Sequence, residues 1–299
     1  MEWQQLLGFY QVARLGSFTR AAAATYRTQS ALSQQVKALE AELDCRLLER
    51  LGPRQLRLTP AGEKLLDFSQ ALLARFATLK EELNEIKGQN QGGLRLAAPF
   101  TTLYHLLPKF LQVYRQQFPK VDLILLDRSQ SAVMALVKNG DIDFGLALAS
   151  QVPRGLLALR WQPVQTVLMV PRDHPLTHLK RVTLRQIARH PLILSPRGPE
   201  YPGRRLLDEH FRKLGLSPNL VMESANVELS ALYVEMGLGV SFATLAKALP
   251  EMSRRNLAFL PLPRYFKPDH LAVVLRRDKI LTLYKKAFIN LLFGDTILT

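Results

Sequence analysis

Gln29-Ser30-Ala31-Leu32-Ser33-Gln34-Gln35-Val36-Lys37-Ala38-Leu39-Glu40 has two distinct sides when wound at the helical period of about 3.6 residues. Leu32, Val36, Leu39 and, just beyond, Leu43 form one apolar stripe, which predicts a helix from about Gln29 to Leu43 with one side buried. Ser30, Ser33, Gln34 and Lys37 fall together on the roughly opposite side, with Gln29 at its start. That side carries hydrogen-bonding groups and one cation but no carboxylate, and such a face suits a DNA major groove. Gln pairs bidentately with adenine, Ser bonds either kind of base, and Lys reaches guanine or a phosphate. Composition alone favours an ordinary solvated helix face, and it is the neighbouring segments that turn the reading toward DNA.

Upstream, Trp3, Leu6, Leu7, Tyr10 and Ala13 recur at helical spacing until Gly16, where a left-handed cap costs least. Ser17 and Thr19 are N-cap candidates for a second helix, and Ala21-Ala22-Ala23-Ala24 gives it a slim surface for a close crossing. A break near Arg27-Thr28 precedes the polar-faced helix. A short helix, a tight turn and a polar-faced helix in succession is a helix-turn-helix. Downstream, Gly52-Pro53 reads as a turn, and Leu56 and Leu58 alternate with Arg57 like a short strand. This is a wing candidate, with Arg54 and Arg57 available to phosphates or the minor groove.

These residues carry a family resemblance. Gly16-Ser17-Phe18-Thr19-Arg20-Ala21-Ala22, the stretch Gln29 to Glu40, Leu47-Leu48-Glu49-Arg50 and Leu58-Thr59-Pro60-Ala61-Gly62 stand in the order and spacing of a LysR-type transcriptional regulator, which the chain resembles over essentially its full length. Asp44 departs from the pattern, since the family usually has glycine there, and this puts the local turn in question. The resemblance implies a winged helix-turn-helix DNA-binding domain, a dimerising linker helix and an effector domain of the bilobed periplasmic-binding-protein type.

Thr59-Pro60 places an N-cap before a proline at the first helical position, so a helix is expected from there to about Gln89. Leu72, Phe76, Leu79, Leu83 and Ile86 are spaced four, three, four, three, a heptad seam short enough that an ordinary amphipathic helix is the alternative. A homodimer or homotetramer is expected, with two recognition helices about one DNA turn apart and an interrupted near-palindrome in double-stranded DNA as the target. Asn90-Gln91-Gly92-Gly93 ends the helix. The expected divisions are 1–58 for DNA binding, 59–91 for the linker and 92–299 for the effector domain.

Length and composition suit a globular chain of two or three domains, with 299 residues of which 47% are hydrophobic. The start, Met1-Glu2-Trp3, shows no signal-peptide pattern, and no stretch is apolar for long enough to span a membrane, so a cytoplasmic protein is expected. A single cysteine, Cys45, rules out an intrachain disulfide and reads as core filler. The net charge of +15 points toward a polyanionic partner, yet residues 1–91 hold 12 Lys/Arg against 10 Asp/Glu, and the excess lies beyond them. That excess fits an anionic ligand, DNA, an acidic protein or simple solubility.

From Leu94 onward, short apolar strands alternate with helical patterns: strands at Val121–Leu126, Ile142–Ala147, Thr166–Val170, 192–194 and 220–223, helices near 108–117, 131–138, 184–188, 203–214 and 229–237. This alternation predicts two α/β lobes with a largely parallel sheet, so the overall class is α/β. By resemblance the chain crosses between lobes near Trp161-Gln162-Pro163 and Tyr265-Phe266-Lys267, giving lobe one as 93–161 with 268–299 and lobe two as 162–267. Ligands in open α/β folds bind at the carboxyl ends of strands, where helix N-termini present free amides. That rule nominates Thr101, Thr102, Ser129, Gln130, Ser195, Arg197 and Asn226, with Arg197 as the cation for a small anionic effector such as a carboxylate or an inorganic oxyanion. Each such Ser, Thr or Asn also reads as a plain helix cap. No nucleophile elbow, Walker loop or zinc-protease helix is present, so no catalytic residue is expected, and Asp141 and Asp143 beside Gly140 read as a turn and a cap rather than as metal ligands. No cofactor is expected beyond the effector, whose identity the sequence leaves open. RNA polymerase is the expected downstream partner. The competing readings are a ligand-independent DNA binder, a solute-binding component and an enzyme.

Overall fold

The computed structural model describes residues 1–52, 55–87, 91–246, 252 and 254–294. The chain divides into two compact units, the first spanning Met1–Leu83 and the second beginning at Asn84.

In the first unit, α1 (Trp3–Leu15), α2 (Phe18–Thr25) and α3 (Gln29–Glu42) precede a hairpin of β1 (Leu48–Gly52) and β2 (Gln55–Leu58), and α4 (Pro60–Ile86) follows. The stop after α1 falls on Gly16 at φ 60°, and the Ser17 hydroxyl, rather than Thr19, caps α2 by accepting the Arg20 amide at 3.3 Å. Thr28 caps α3 in the same way, accepting the Ala31 amide at 3.2 Å. Leu32, Val36 and Leu39 are buried against Phe9, Val12, Ala21, Ala22 and Leu47, and half-buried Cys45 packs beside them. Leu43, the fourth member of the expected stripe, is exposed, because α3 ends at Glu42 and Leu43 is its C-cap. Asp44 follows at φ 49°: the turn is the left-handed one that a glycine would make, with a short polar side chain in its place.

The start of α4 is fixed by backbone contacts. The Thr59 hydroxyl accepts the Gly62 amide at 3.0 Å and donates to the Arg46 carbonyl at 2.6 Å. A Cβ on Gly62 would sit 2.0 Å from the Leu47 carbonyl oxygen, so this approach admits only glycine.

The second unit is built on β3 (Gly92–Ala98), β4 (Val121–Asp127), β5 (Phe144–Leu148), β6 (Leu156–Pro171), β7 (Leu192–Leu194), β8 (Leu220–Glu223), β9 (Val240–Ala246), β10 (Leu257–Pro261) and β11 (Asp269–Arg276). They form one sheet in the order β4-β3-β5-β11-β6-β9-β7-β8, with β10 also paired to β6. Helices α5 (Phe100–His105), α6 (Pro108–Gln117), α7 (Gln130–Lys138), α8 (Leu184–Ile187), α9 (Pro202–Lys213), α10 (Val227–Glu235) and α11 (Leu283–Phe293) cover it. Pairing is parallel among β3, β4 and β5 and among β7, β8 and β9, but β6, β10 and β11 run antiparallel to their neighbours. Trp161-Gln162-Pro163 lies within β6, which pairs with β11 along its first half and with β9 along its second. The pairing slips between Leu271 and Ala272, opposite Trp161, whose indole N–H donates to the Leu292 carbonyl at 2.8 Å.

Each half of the sheet has its own core, one around Leu94, Phe144, Val273 and Phe288 and another around Leu168, Leu192, Phe211 and Val240. Beneath the first lies a buried charge cluster. Asp143 accepts the Arg95 amide at 2.8 Å and meets Lys279 Nζ at 2.8 Å and Lys285 Nζ at 3.0 Å. Burial pushes the Asp143 carboxyl up, but the two ammonium groups and the amide prevail and hold it below the usual carboxylate range.

Candidate nucleic-acid interface and effector cavity

Ser30, Gln34 and Lys37 are exposed on the side of α3 away from the Leu32–Val36–Leu39 stripe, half-buried Ser33 flanks them, and exposed Gln29 stands at the N-terminal end of the helix. Ser30 Oγ and Thr28 Oγ1 share a hydrogen bond at 3.0 Å. Thr19 Oγ1 donates to Gln29 Oε1 at 3.4 Å, tying the start of α2 to the start of α3. Arg27 is held inside the domain, where its guanidinium reaches Gln35 Oε1 at 3.2 Å and the Gln4 side chain. In the wing, Arg57 is exposed on β2 opposite Glu49, while Arg54 lies outside the described residues. A recognition helix with an exposed polar face beside a two-stranded wing is the arrangement that reads a major groove.

Along α4, Phe76, Leu79, Leu83 and Ile86 of the expected seam are exposed, and Leu72 is half-buried. Trp3 from α1 packs on Phe76 with ring centroids 5.2 Å apart. A stripe of exposed apolar side chains on a helix of 27 residues marks an association face.

The second unit holds a cavity of about 1300 Å³ where strand ends meet helix starts. Thr101, Thr102, Ser129, Gln130, Ser195 and Asn226 all line it. Several of them also hold the fold: Ser129 Oγ accepts the Ala132 amide at 3.4 Å, Asn226 Oδ1 accepts those of Glu228 and Leu229 at 2.8 and 3.2 Å, and Gln130 Oε1 accepts that of Leu148 at 2.9 Å. Cap and lining are therefore one role for these residues, not alternatives.

Arg197 is placed elsewhere. It does not line the cavity; its side chain is 73% exposed and its Nε donates to Asp208 at 2.9 Å. Gly198 turns the loop at φ 155° before α9 begins, and the buried arginine of this loop-helix unit is Arg204, in the first turn of α9. Arg204 is 2% exposed; its Nε donates to Asp208 at 2.9 Å and its Nη1 to the Ser195 carbonyl at 2.5 Å and Glu223 at 3.2 Å. Burial raises the Asp208 carboxyl, but hydrogen bonds from Arg197 and Arg204 outweigh it and hold the group low. Two carboxylates thus neutralise Arg204. Arg128, at the end of β4, presents its charge to the cavity with a backbone partner only, Nη1 donating to the Asp127 carbonyl at 2.7 Å, and no carboxylate pairs with it among the described residues. It stands immediately before Ser129, and the strand-end rule that nominated Ser129 could have found it.

One further link spans the two halves. His105, at the end of α5, meets Glu228 in the first turn of α10, Nε2 to Oε1 at 2.5 Å, and Arg255 approaches the other carboxylate oxygen at 2.9 Å. These residues stand 123 positions apart, and no local pattern pairs them.

Residues 3–63 match the bacterial regulatory helix-turn-helix model of the lysR family, and residues 87–294 match the LysR substrate-binding domain. The chain belongs to the LysR family. It is a DNA-binding transcriptional regulator with an effector-binding domain, not an enzyme, and its relatives CysB, Cbl and CmpR are transcriptional regulators too. It is 31% identical to the regulator CysB of Burkholderia cenocepacia, over 92% of this chain and 88% of that one. Identity to the regulator Cbl of Escherichia coli K12 is 29% over 97% and 92%, and to the activator CmpR of Synechocystis 30% over 96% and 93%. Among solved structures, the cofactor-binding domain of Cbl superposes with a TM-score of 0.58 at 28% identity, covering 70% of this chain and 90% of that one. Full-length OxyR of Pseudomonas aeruginosa shares the fold, with a TM-score of 0.65 at 21% identity over 100% of this chain and 99% of that one.

Proposed function

We propose that this LysR-family regulator responds to a small anionic effector held in the 1300 Å³ cavity, with Arg128 as the cation that meets the acidic group. The observation that carries the reading is a guanidinium on the cavity wall with which no carboxylate pairs among the described residues, beside the Ser129 cap and the start of α7. Thr101, Thr102, Gln130, Ser195 and Asn226 supply hydroxyl and amide groups around it.

On the DNA side, Gln29, Ser30, Ser33, Gln34 and Lys37 read the major groove, and Arg54 and Arg57 of the wing hold the flanking backbone. The apolar stripe on α4 joins two copies, and a tetramer of two such dimers is the larger assembly. A two-fold dimer reads an interrupted near-palindrome. Effector binding shifts the population of two arrangements of the lobes and so changes how the paired recognition domains hold DNA, with RNA polymerase the partner that senses it. No helix among the described residues is long and apolar enough to cross a membrane, in keeping with a regulator that works on DNA in the cytoplasm.

The test is a thermal-shift screen of the full-length protein against small carboxylates and inorganic oxyanions. A ligand at roughly 100 times its Kd adds about 2.7 kcal/mol of stability. Arg128→Ala is expected to abolish the response to a hit, and Arg197→Ala to keep it. A hit that Arg128→Ala leaves intact removes Arg128 from the site, and a flat screen counts against the anionic effector.

A further inference from the structure

The turn that leads into the recognition helix contains an aromatic side chain with no structural task. Tyr26 closes α2 as its C-cap at φ 53° and ψ 41°, a left-handed conformation that glycine or asparagine adopts more easily than tyrosine. Its amide is used, donating to the Ala22 and Ala23 carbonyls. Its side chain is not, being 99% exposed, so the ring gains no burial that would offset the backbone cost. The polar groups around it are committed: Arg27 to Gln35 and Gln4, Thr28 to the Ala31 amide, Thr19 to Gln29. The Tyr26 hydroxyl has no partner among the described residues.

We propose that Tyr26 is a DNA-backbone contact, its phenol O–H donating to a non-bridging phosphate oxygen beside the groove that α3 enters. In helix-turn-helix docking, the N-terminal residues of the second helix meet base edges while the preceding helix and turn cross the phosphates, and tyrosine is among the side chains that contact phosphate. Tyr26 stands two residues before the α3 cap and three before Gln29, at the end of the helix that enters the groove. The turn holds it in place, with the Arg27 amide bonded to the Ala22 carbonyl at 3.0 Å, so the contact demands little ordering on binding. A neutral donor neutralises no phosphate. The contact therefore adds affinity to every sequence alike and leaves the salt dependence unchanged, unlike one made by Lys or Arg.

Full-length protein, Y26F and Y26N are compared on a duplex selected by the parent protein from a random 40-bp library and on an unselected random duplex. Removing one hydrogen bond to a charged acceptor is expected to weaken Y26F roughly tenfold on both duplexes, with an unchanged slope of log affinity against log salt and an unchanged Tm. Y26N, better suited to the left-handed turn, is expected to melt at the same temperature or higher and to lose the same affinity. Y26F binding both duplexes within twofold of the parent overturns the proposal. So does a loss confined to the selected duplex, which marks a base contact, or a loss in Y26N alone, which assigns the effect to the ring.

Discussion

The DNA-reading face and the effector cavity differ in how much of the chain each requires. The face is one side of a single helix, with its groups between Gln29 and Lys37, and a period and a cap are enough to build it. The cavity draws on residues from Pro99 to Leu271, brought together only when β3, β4, β7, β8 and β9 lie in one sheet with α5, α7, α9 and α10 beside them. Gln29 and Ser30 bond only to neighbouring side chains on the face, whereas Ser129, Gln130 and Asn226 each hold a backbone amide as well as lining the cavity. Substitutions on the face should therefore change mainly binding, and those in the effector domain's buried polar networks should change stability too.

The largest effect is expected at the amino end of β5. Asp143→Asn removes the buried carboxylate that Lys279 and Lys285 share, and urea unfolding should show a loss of about 3–5 kcal/mol. Because the folded carboxyl lies below its unfolded value, its contribution is complete above about pH 4 and disappears as pH falls through the folded value. The acid limb of the parent's stability curve should accordingly flatten in Asp143→Asn; an identical limb in both proteins assigns acid lability to other groups.

Arg204→Met should cost about 2 kcal/mol, less than for a fully buried pair because Asp208 and Glu223 stay partly hydrated. Arg197→Ala, removing an exposed group from the same network, should leave the melting temperature unchanged. Equal losses in the two variants would contradict the division of roles between these arginines. Asn226→Ala removes the α10 cap and should cost about 1 kcal/mol.

On the recognition face, Gln34→Ala and Lys37→Ala should each melt within about 0.5 kcal/mol of the parent. Gln34→Ala should relax discrimination at one base pair by about 1–3 kcal/mol, and Lys37→Ala should reduce the salt slope by about one. A large stability loss in either would mean that the face supports the fold, contrary to the comparison drawn above.

Much of the first unit was legible because its signals are local. Gly16, Ser17, Thr28 and the pair Thr59-Pro60 mark helix ends through groups only a few residues away. Leu43 failed the pattern for an equally local reason, since one residue of helix end turned a stripe position outward. In the second unit, periodicity located β4, α6, α7 and β7, but not the full length of β6, nor β9, β10, β11 and α11. Those segments read clearly only beside their partners: β11 sits between β5 and β6, far from both in sequence.

The sequence by itself determined the elements of the first unit, the two-sided character of α3 and the membership of six cavity residues, because helix period, capping chemistry and strand-end position act over a few residues. Tertiary structure alone decided which arginine is buried between carboxylates, which bonds only to a backbone carbonyl among the described residues and which faces solvent beside one carboxylate. Arg128, Arg197 and Arg204 are chemically alike, and the choice was made by where Asp208, Glu223 and the Ser195 carbonyl came to rest after folding. Charge pairing depends on distance in space, and distance in sequence does not supply it.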